Sequence, residues 1–95
     1  MRRHAVIEPS AEDVAGRALG FLAADPERLG RFLALSGLDP ATIREAAREP
    51  GFLPGVLDHI LTDERLLTEF AEAEGLALEA VGRARAAFGA PHPEQ

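Results

Sequence analysis

The side chains best suited to chemistry in this sequence are histidines and carboxylates, because the chain has no cysteine and all ten basic residues are arginine. His59 lies one residue after Asp58 and shortly before Asp63, and a histidine beside carboxylates can act as a base or hold a metal ion. A metal-dependent enzyme using His59 is therefore one alternative. On a helix, however, Asp58 points about 100° away from His59, and no second histidine lies nearby. We predict no catalytic residue, no metal ligand and no cofactor.

The stretch SGLDPATIREAAREP, residues 36–50, raises a second alternative, the helix-turn-helix of a DNA-binding regulator. The unit would span residues 26–48, with Gly37 in the turn. The tentative nucleic-acid contacts would be Thr42, Arg44 and Arg48. Two observations oppose this function. Leu33 stands where such motifs need a small residue, and a net charge of −6 disfavours binding to a polyanion.

The charged residues also suggest a surface that binds another protein. Residues 1–50 hold seven arginines against eight acidic residues, net −1, whereas residues 51–95 hold three against eight, net −5. We predict an exposed apolar seam bordered by charge, which would bind a partner helix, with a second copy of the chain as one candidate. The tentative interaction surface comprises Arg28, Arg31, Glu69, Glu72 and Glu74. A purely solvated acidic face is the alternative.

The elements that would position these residues are all helical, because nothing in the chain alternates with the period of a half-buried strand. Acidic or hydroxyl caps followed by apolar residues at helical spacing predict six short helices. The capping residues are Ser10, Asp25, Asp39, and either Thr62 or Asp63. Gly37, Gly75 and a Pro50-Gly51 pair supply the predicted ends. For the third helix, which starts at Asp39-Pro40, the predicted inner face is Ile43, Ala46 and Ala47.

An internal repeat connects these helices. Shifted by 38 residues, the chain aligns with itself without a gap, so that Asp25, Phe32 and Gly37 fall on Asp63, Phe70 and Gly75. His59 falls on Phe21, which suggests a boundary position where imidazole replaces an aromatic ring. We predict one helical domain over residues 9–89, with halves 9–51 and 52–89 packed as a compact bundle. Residues 1–8 and 90–95 are predicted to be flexible tails.

Composition restricts location and partners further. The chain is 46% hydrophobic, with no run approaching the roughly 18 apolar residues of a membrane span. We expect a cytoplasmic protein with no membrane contact. The alanine-rich stretch from Leu76 to Phe88 is a second candidate surface for a dimer, since periodicity alone does not distinguish it from internal core.

The segment FLAADPERLGRFLALSGLDPATIREAAREPGFLPGVLDHILTDERLLTEFAEAEGL, residues 21–76, resembles a family of small bacterial proteins known as domain of unknown function 3572. Its most specific parts are the run DPERLGRFL and the turn GLDP, and the likeness extends from about Val14 to Phe88. The resemblance implies a compact cytoplasmic helical protein and carries no activity. We expect a non-enzymatic protein-protein interaction module of a bacterial cytoplasm.

Overall fold

The computed structural model describes residues 8–89 and confirms an all-α fold of six helices. The helices are α1 (Ala11–Ala23), α2 (Pro26–Ser36), α3 (Ile43–Ala46), α4 (Phe52–Leu61), α5 (Glu64–Glu74) and α6 (Leu78–Ala87). A 3₁₀ turn over Pro40–Thr42 leads into α3. The predicted tails over residues 1–7 and 90–95 lie outside the described residues.

Side-chain caps begin the longer helices where the sequence predicts them. Ser10 Oγ accepts a hydrogen bond from the backbone N–H of Asp13 (3.0 Å). Asp25 Oδ1 accepts from the N–H of Glu27 (2.9 Å). Asp63 Oδ1 accepts from the N–H groups of both Arg65 (3.0 Å) and Leu66 (3.2 Å). These bonds satisfy backbone donors that the first helical turn leaves without an intrahelical partner.

Glycine ends both α2 and α5 with the same geometry. Gly37 has φ 71° and Gly75 has φ 68°, a left-handed conformation that other residues adopt only at a cost. The next N–H in each case, from Leu38 or Leu76, donates back into the last helical turn at 2.9 Å. Each helix therefore ends in a closed turn that reverses the chain toward the next element.

Removing a cap should weaken the whole domain, because the helices fold together around one core. We expect Asp25→Ala and Asp63→Ala each to lower the free energy of unfolding by about 0.5 to 2 kcal/mol. Urea denaturation followed by circular dichroism measures this loss. The matched control is Glu72→Ala, a change at an exposed carboxylate in the last turn of α5. Equal effects of the cap and control substitutions would contradict the capping role.

The core forms where α1, α4 and α6 meet, and α2 and α5 each contribute a phenylalanine to it. The largest fully buried side chains are Phe32, Phe70, Leu22, Leu57, Ile60, Val14, Val56 and Val81. No polar or charged residue is buried among the described residues. The stability of this core therefore comes from apolar burial and close packing.

The third helix is shorter and more peripheral than the sequence predicts. The stretch after Asp39 forms a 3₁₀ turn and then only four α-helical residues, none of them buried. Ile43 and Ala46 pack partly against the core, whereas Ala47 is exposed. The physical reason is the lack of an apolar stripe, since beyond Ala46 the segment offers charged residues and then Pro50.

The alanine-rich sixth helix packs inside the domain. Ala80, Val81 and Ala84 are buried, and α6 contacts both α1 and α4. At its C-terminal end Arg85 donates to Asp58 Oδ1 (2.6 Å) on α4 and to the carbonyl of Gly89 (2.8 Å). Ala80 and Ala84 thus serve internal packing, whereas Ala86 and Ala87 at the end of the helix are exposed.

Two aromatic contacts agree with the predicted relation between the halves. The rings of Phe21 and Phe70 lie 5.5 Å apart, and those of His59 and Phe32 lie 5.2 Å apart. A shift of 38 residues converts the first pair into the second with the halves exchanged. Such reciprocal contacts are what two halves related by an approximate twofold axis would make.

Candidate functional site

The charged residues predicted to border a binding seam are partly joined to each other. Arg28 Nη2 lies 3.1 Å from Glu69 Oε1, and its guanidinium carbon lies 4.2 Å above the ring centre of Phe21. This arrangement combines an ion pair with a cation-π contact and covers the junction of the halves at this point. Arg31 and Glu72 are exposed. The predicted surface is thus a charged, bridged strip rather than an open apolar seam.

Glu74, the remaining member of that surface, lies on a different contact. Its Oε1 is 3.7 Å from Arg17 Nη1, and Arg17 Nε is in turn 2.9 Å from Asp13 Oδ2. Arg17 therefore connects α1 to the C-terminal end of α5. Solvent-exposed ion pairs of this kind contribute little stability, so their main effect is to place charge at this edge of the domain.

The residues assigned to nucleic-acid contact under the regulator alternative lie on the short third segment. Thr42, Arg44 and Arg48 are all exposed, and Thr42 Oγ1 donates to the carbonyl of Asp39 (3.3 Å). The helix available to enter a DNA groove has four residues, about 6 Å of length. A recognition helix lays a longer surface in the major groove, and the geometry therefore disfavours a helix-turn-helix at residues 26–48.

His59 lies at the edge of the core, where its ring meets Phe32 edge to face. Burial among apolar side chains lowers the pKa of His59 below its usual value, the positive charge of Arg31 lowers it further, and Asp63 acts in the opposite direction. Asp58, the neighbour of His59 in sequence, forms an ion pair with Arg85. Within residues 8–89, no group of three or more histidine and acidic side chains is arranged to hold a metal ion.

The lowered pKa of His59 predicts a dependence of stability on pH. Between the native and unfolded pKa values the unfolded chain binds more protons at this site, so stability rises with pH there and falls on acidification. We expect the free energy of unfolding to decrease as pH falls from about 7 to about 5. The decrease should be smaller in His59→Phe, measured by urea denaturation at each pH. Superimposable pH profiles of the two proteins would contradict this role.

Most of the hydroxyl groups, which are the other candidates for chemistry, form hydrogen bonds with the backbone. Thr62 Oγ1 donates to the carbonyl of His59 and Thr68 Oγ1 to that of Glu64, both at 2.9 Å. Ser10 caps α1. Ser36 differs from these hydroxyl-bearing residues because it lines a cleft formed by α2, α3 and α4.

This cleft, named here the apolar cleft, is the feature of the surface that sequence reasoning missed. It has a volume of about 320 Å³ and lies between the end of α2, the short α3 and the start of α4. Its lining residues are Phe32, Ser36, Leu38, Ala46, Glu49, Gly51, Phe52 and Gly55. The cleft lies beside the short α3, and the two phenylalanines that line it, Phe32 and Phe52, are buried, with their rings meeting edge to face at 6.3 Å.

The surface equivalent to the cleft under the offset of 38 is a groove between α1, α5 and α6, and it is built differently. This charged groove, of about 370 Å³, is lined by Arg17 and Glu74 together with Glu8, Arg83 and five smaller or apolar residues. Glu8, which the sequence assigned to a flexible tail, forms an ion pair with Arg83. The offset of 38 places Gly55 where Arg17 stands and Ser36 where Glu74 stands. The ion pair of Arg17 and Glu74 in the groove is thus replaced at the cleft by two small residues, Gly55 and Ser36.

The comparison between halves is also the signal that would have located the cleft from sequence. Gly55 lies inside α4, and a Cβ atom added there would meet nothing within 4 Å, as is also true of the other helical glycines. A glycine at a helical position costs stability relative to alanine, and Gly55 is the one that lines the cleft, together with Ser36.

A family model described as "Protein of unknown function (DUF3572)" matches residues 8–91. The chain belongs to this family. The match covers both halves, all six helices, the apolar cleft and the charged groove, so these features lie within the family domain. Neither a curated protein nor a solved structure matches the chain.

No helix within the described part of this family domain combines the length and the hydrophobicity needed to cross a membrane.

Proposed function

We propose that this family member is a non-enzymatic protein-protein interaction module of a bacterial cytoplasm and that it binds its partner at the apolar cleft. The observation that carries this proposal is the position of an exposed leucine beside the cleft. Leu35 is 67% exposed on α2, between the cleft residues Phe32 and Ser36. A large exposed apolar side chain and an apolar cleft on the same turn of a helix are together typical of binding sites.

The chemistry of the cleft favours a protein over a small polar ligand. Small-molecule sites usually add several convergent polar groups that fix the orientation of the ligand. Here the polar side chains are those of Ser36 and Glu49, and the other lining residues are apolar or glycine. A side chain or short helix that presents leucine or phenylalanine would gain from burial without needing polar partners.

A non-enzymatic role is supported by how the reactive side chains are used. Ser10 and the threonine hydroxyls at 42, 62 and 68 bond to backbone groups, and His59 packs on Phe32 with its neighbour Asp58 held by Arg85. These contacts serve capping and packing. They support the proposal that the domain acts through contact.

Affinity capture with a blocked cleft tests the proposal. Tagged protein is used to retain partners from a bacterial lysate, with and without nuclease. The blocked variant is the double substitution Ser36→Glu and Gly55→Arg, which copies the Arg17–Glu74 ion pair of the charged groove. Gly55→Ala is the matched control. We expect a stoichiometric protein retained by the wild type and by Gly55→Ala, resistant to nuclease and lost from the blocked variant.

Two results would contradict the proposed function. Retention of nucleic-acid-associated proteins alone, abolished by nuclease, would favour the DNA-binding regulator. Equal retention of the same partner by the wild type and the blocked variant would place the binding surface elsewhere.

A further inference from the structure

The apolar cleft and Leu35 together suggest the identity of one partner. We propose that a second copy of the chain docks on this face, with Leu35 of each copy inserted in the apolar cleft of the other. The inference rests on the proposed function and adds the occupant of the site. Its starting point is that the exposed leucine and the cleft lie on the same stretch of α2, residues 32–36.

The placement of these two features satisfies the symmetry of a dimer. In a twofold interface the same patch faces itself, so each copy must offer both a protruding group and a place to receive it. Leu35 is the most exposed of the large apolar side chains in the described part of the chain, and the cleft beside it holds about 320 Å³. One contact between two copies would therefore bury both leucines and fill both clefts.

Charge on this face permits two copies to approach, although the chain as a whole carries −6. Residues 31–55, which include every residue that lines the cleft, contain three arginines (Arg31, Arg44, Arg48) and three acidic residues (Asp39, Glu45, Glu49), net zero. The remainder of the chain carries the full −6. Like-charge repulsion, which suppresses wrong pairings, thus opposes self-association through most of the surface and is weakest at this face.

The charged groove lacks the features that would continue the assembly. It is lined by Glu8, Arg17, Glu74 and Arg83, and burial of these charges against another copy would require their desolvation. The position equivalent to Leu35 under the offset of 38 is Ala73, which offers no comparable side chain. The assembly therefore closes at two copies instead of growing into a chain.

Sedimentation velocity over a concentration series tests the dimer with the full chain. We expect the wild type to shift from monomer to dimer as concentration rises. Leu35→Asp, and the double substitution Ser36→Glu and Gly55→Arg, should each weaken dimerisation by about tenfold or more. Two controls should leave it unchanged: Gly55→Ala, and Leu78→Asp, which alters the exposed leucine at the start of α6 (45% exposed). Circular dichroism melting curves establish that each variant is folded.

Two outcomes would contradict the dimer. A wild type that stays monomeric up to about 1 mM, or a dimer that folded Leu35→Asp and double-variant proteins form equally well, contradicts the inference. Neither result tests the proposed function. That function would be contradicted if, for example, the wild type and the blocked variant captured a different partner equally well. A monomer that captures a partner through the cleft would thus refute the dimer alone.

Discussion

Replacing Phe70 with alanine is expected to lower the free energy of unfolding by about 3 to 5 kcal/mol, and Phe32→Ala should do the same. Both side chains are buried, with 0% and 2% of their surface exposed. Each ring packs against the helix of the opposite half, Phe70 on Phe21 and Phe32 on His59. Because a domain of this size has a total stability of about 5 to 15 kcal/mol, either loss is a large share of it. Urea denaturation measures both.

The similarity of the two losses is as informative as their size. Leu78→Ala is the control, because Leu78 is exposed and the substitution should change stability by less than about 0.5 kcal/mol. A loss below about 1 kcal/mol at either phenylalanine would contradict the packing of two related halves around a shared core.

The second large effect is a difference in stability between substitutions at equivalent positions of the two halves. Val81 and Ile43 occupy equivalent positions under the offset of 38, yet Val81 is fully buried and Ile43 is only half-buried. Aspartate at position 81 would place an unpaired carboxyl group among apolar side chains. We expect Val81→Asp to cost about 4 kcal/mol or more, whereas Ile43→Asp should leave a folded domain. Thermal unfolding monitored by circular dichroism compares the variants.

The expected contrast has a specific physical origin. α6 contacts both α1 and α4 inside the core, whereas α3 is a four-residue helix at the edge. If Val81→Asp fails to fold, Val81→Ala and Ile43→Ala provide the comparison, with the larger loss again expected at position 81. Equal tolerance at the two positions would mean that α6 is as peripheral as α3, contrary to the structure.

Local chemistry made most helix boundaries predictable. The pairing of an acidic cap at Asp25 with a later glycine at Gly37 bounds α2, and the cap predicted at Thr62 or Asp63, with Gly75, places α5 to within one residue. Ser10 does so for the start of α1. These signals depend on neighbours a few positions apart along the chain, and sequence displays such neighbours directly.

The third helix shows the limit of that reasoning. Asp39 and Pro40 reproduce the cap and first-turn proline of α2, and Asp39 Oδ1 does accept from the N–H of Ala41 (2.9 Å). A cap begins a helix but does not sustain it, because most helical stability comes from packing of an apolar face. The segment after Ala46 has no such face, and the short helix lies beside the apolar cleft.

The binding face was harder to predict because it depends on which residues meet in space. Arg28 and Glu69 were expected to border an open seam, and the structure joins them across it. The cleft, by contrast, is made of residues whose individual types are unremarkable, such as Ser36, Ala46 and Gly55. Their significance appears only beside the equivalent positions of the charged groove, where Arg17 and Glu74 form an ion pair.

Nuclear magnetic resonance of the full chain gives the most direct test that the apolar cleft is the contact face. Amide spectra are recorded over a dilution series and then with a captured partner. We expect shifts concentrated on the amides of Leu35, Ser36, Leu38, Phe52 and Gly55, with the acidic surface of α5 unaffected. Shifts centred on Glu69, Glu72 and Glu74, with the cleft amides unchanged, would contradict it and restore the charged strip as the binding surface.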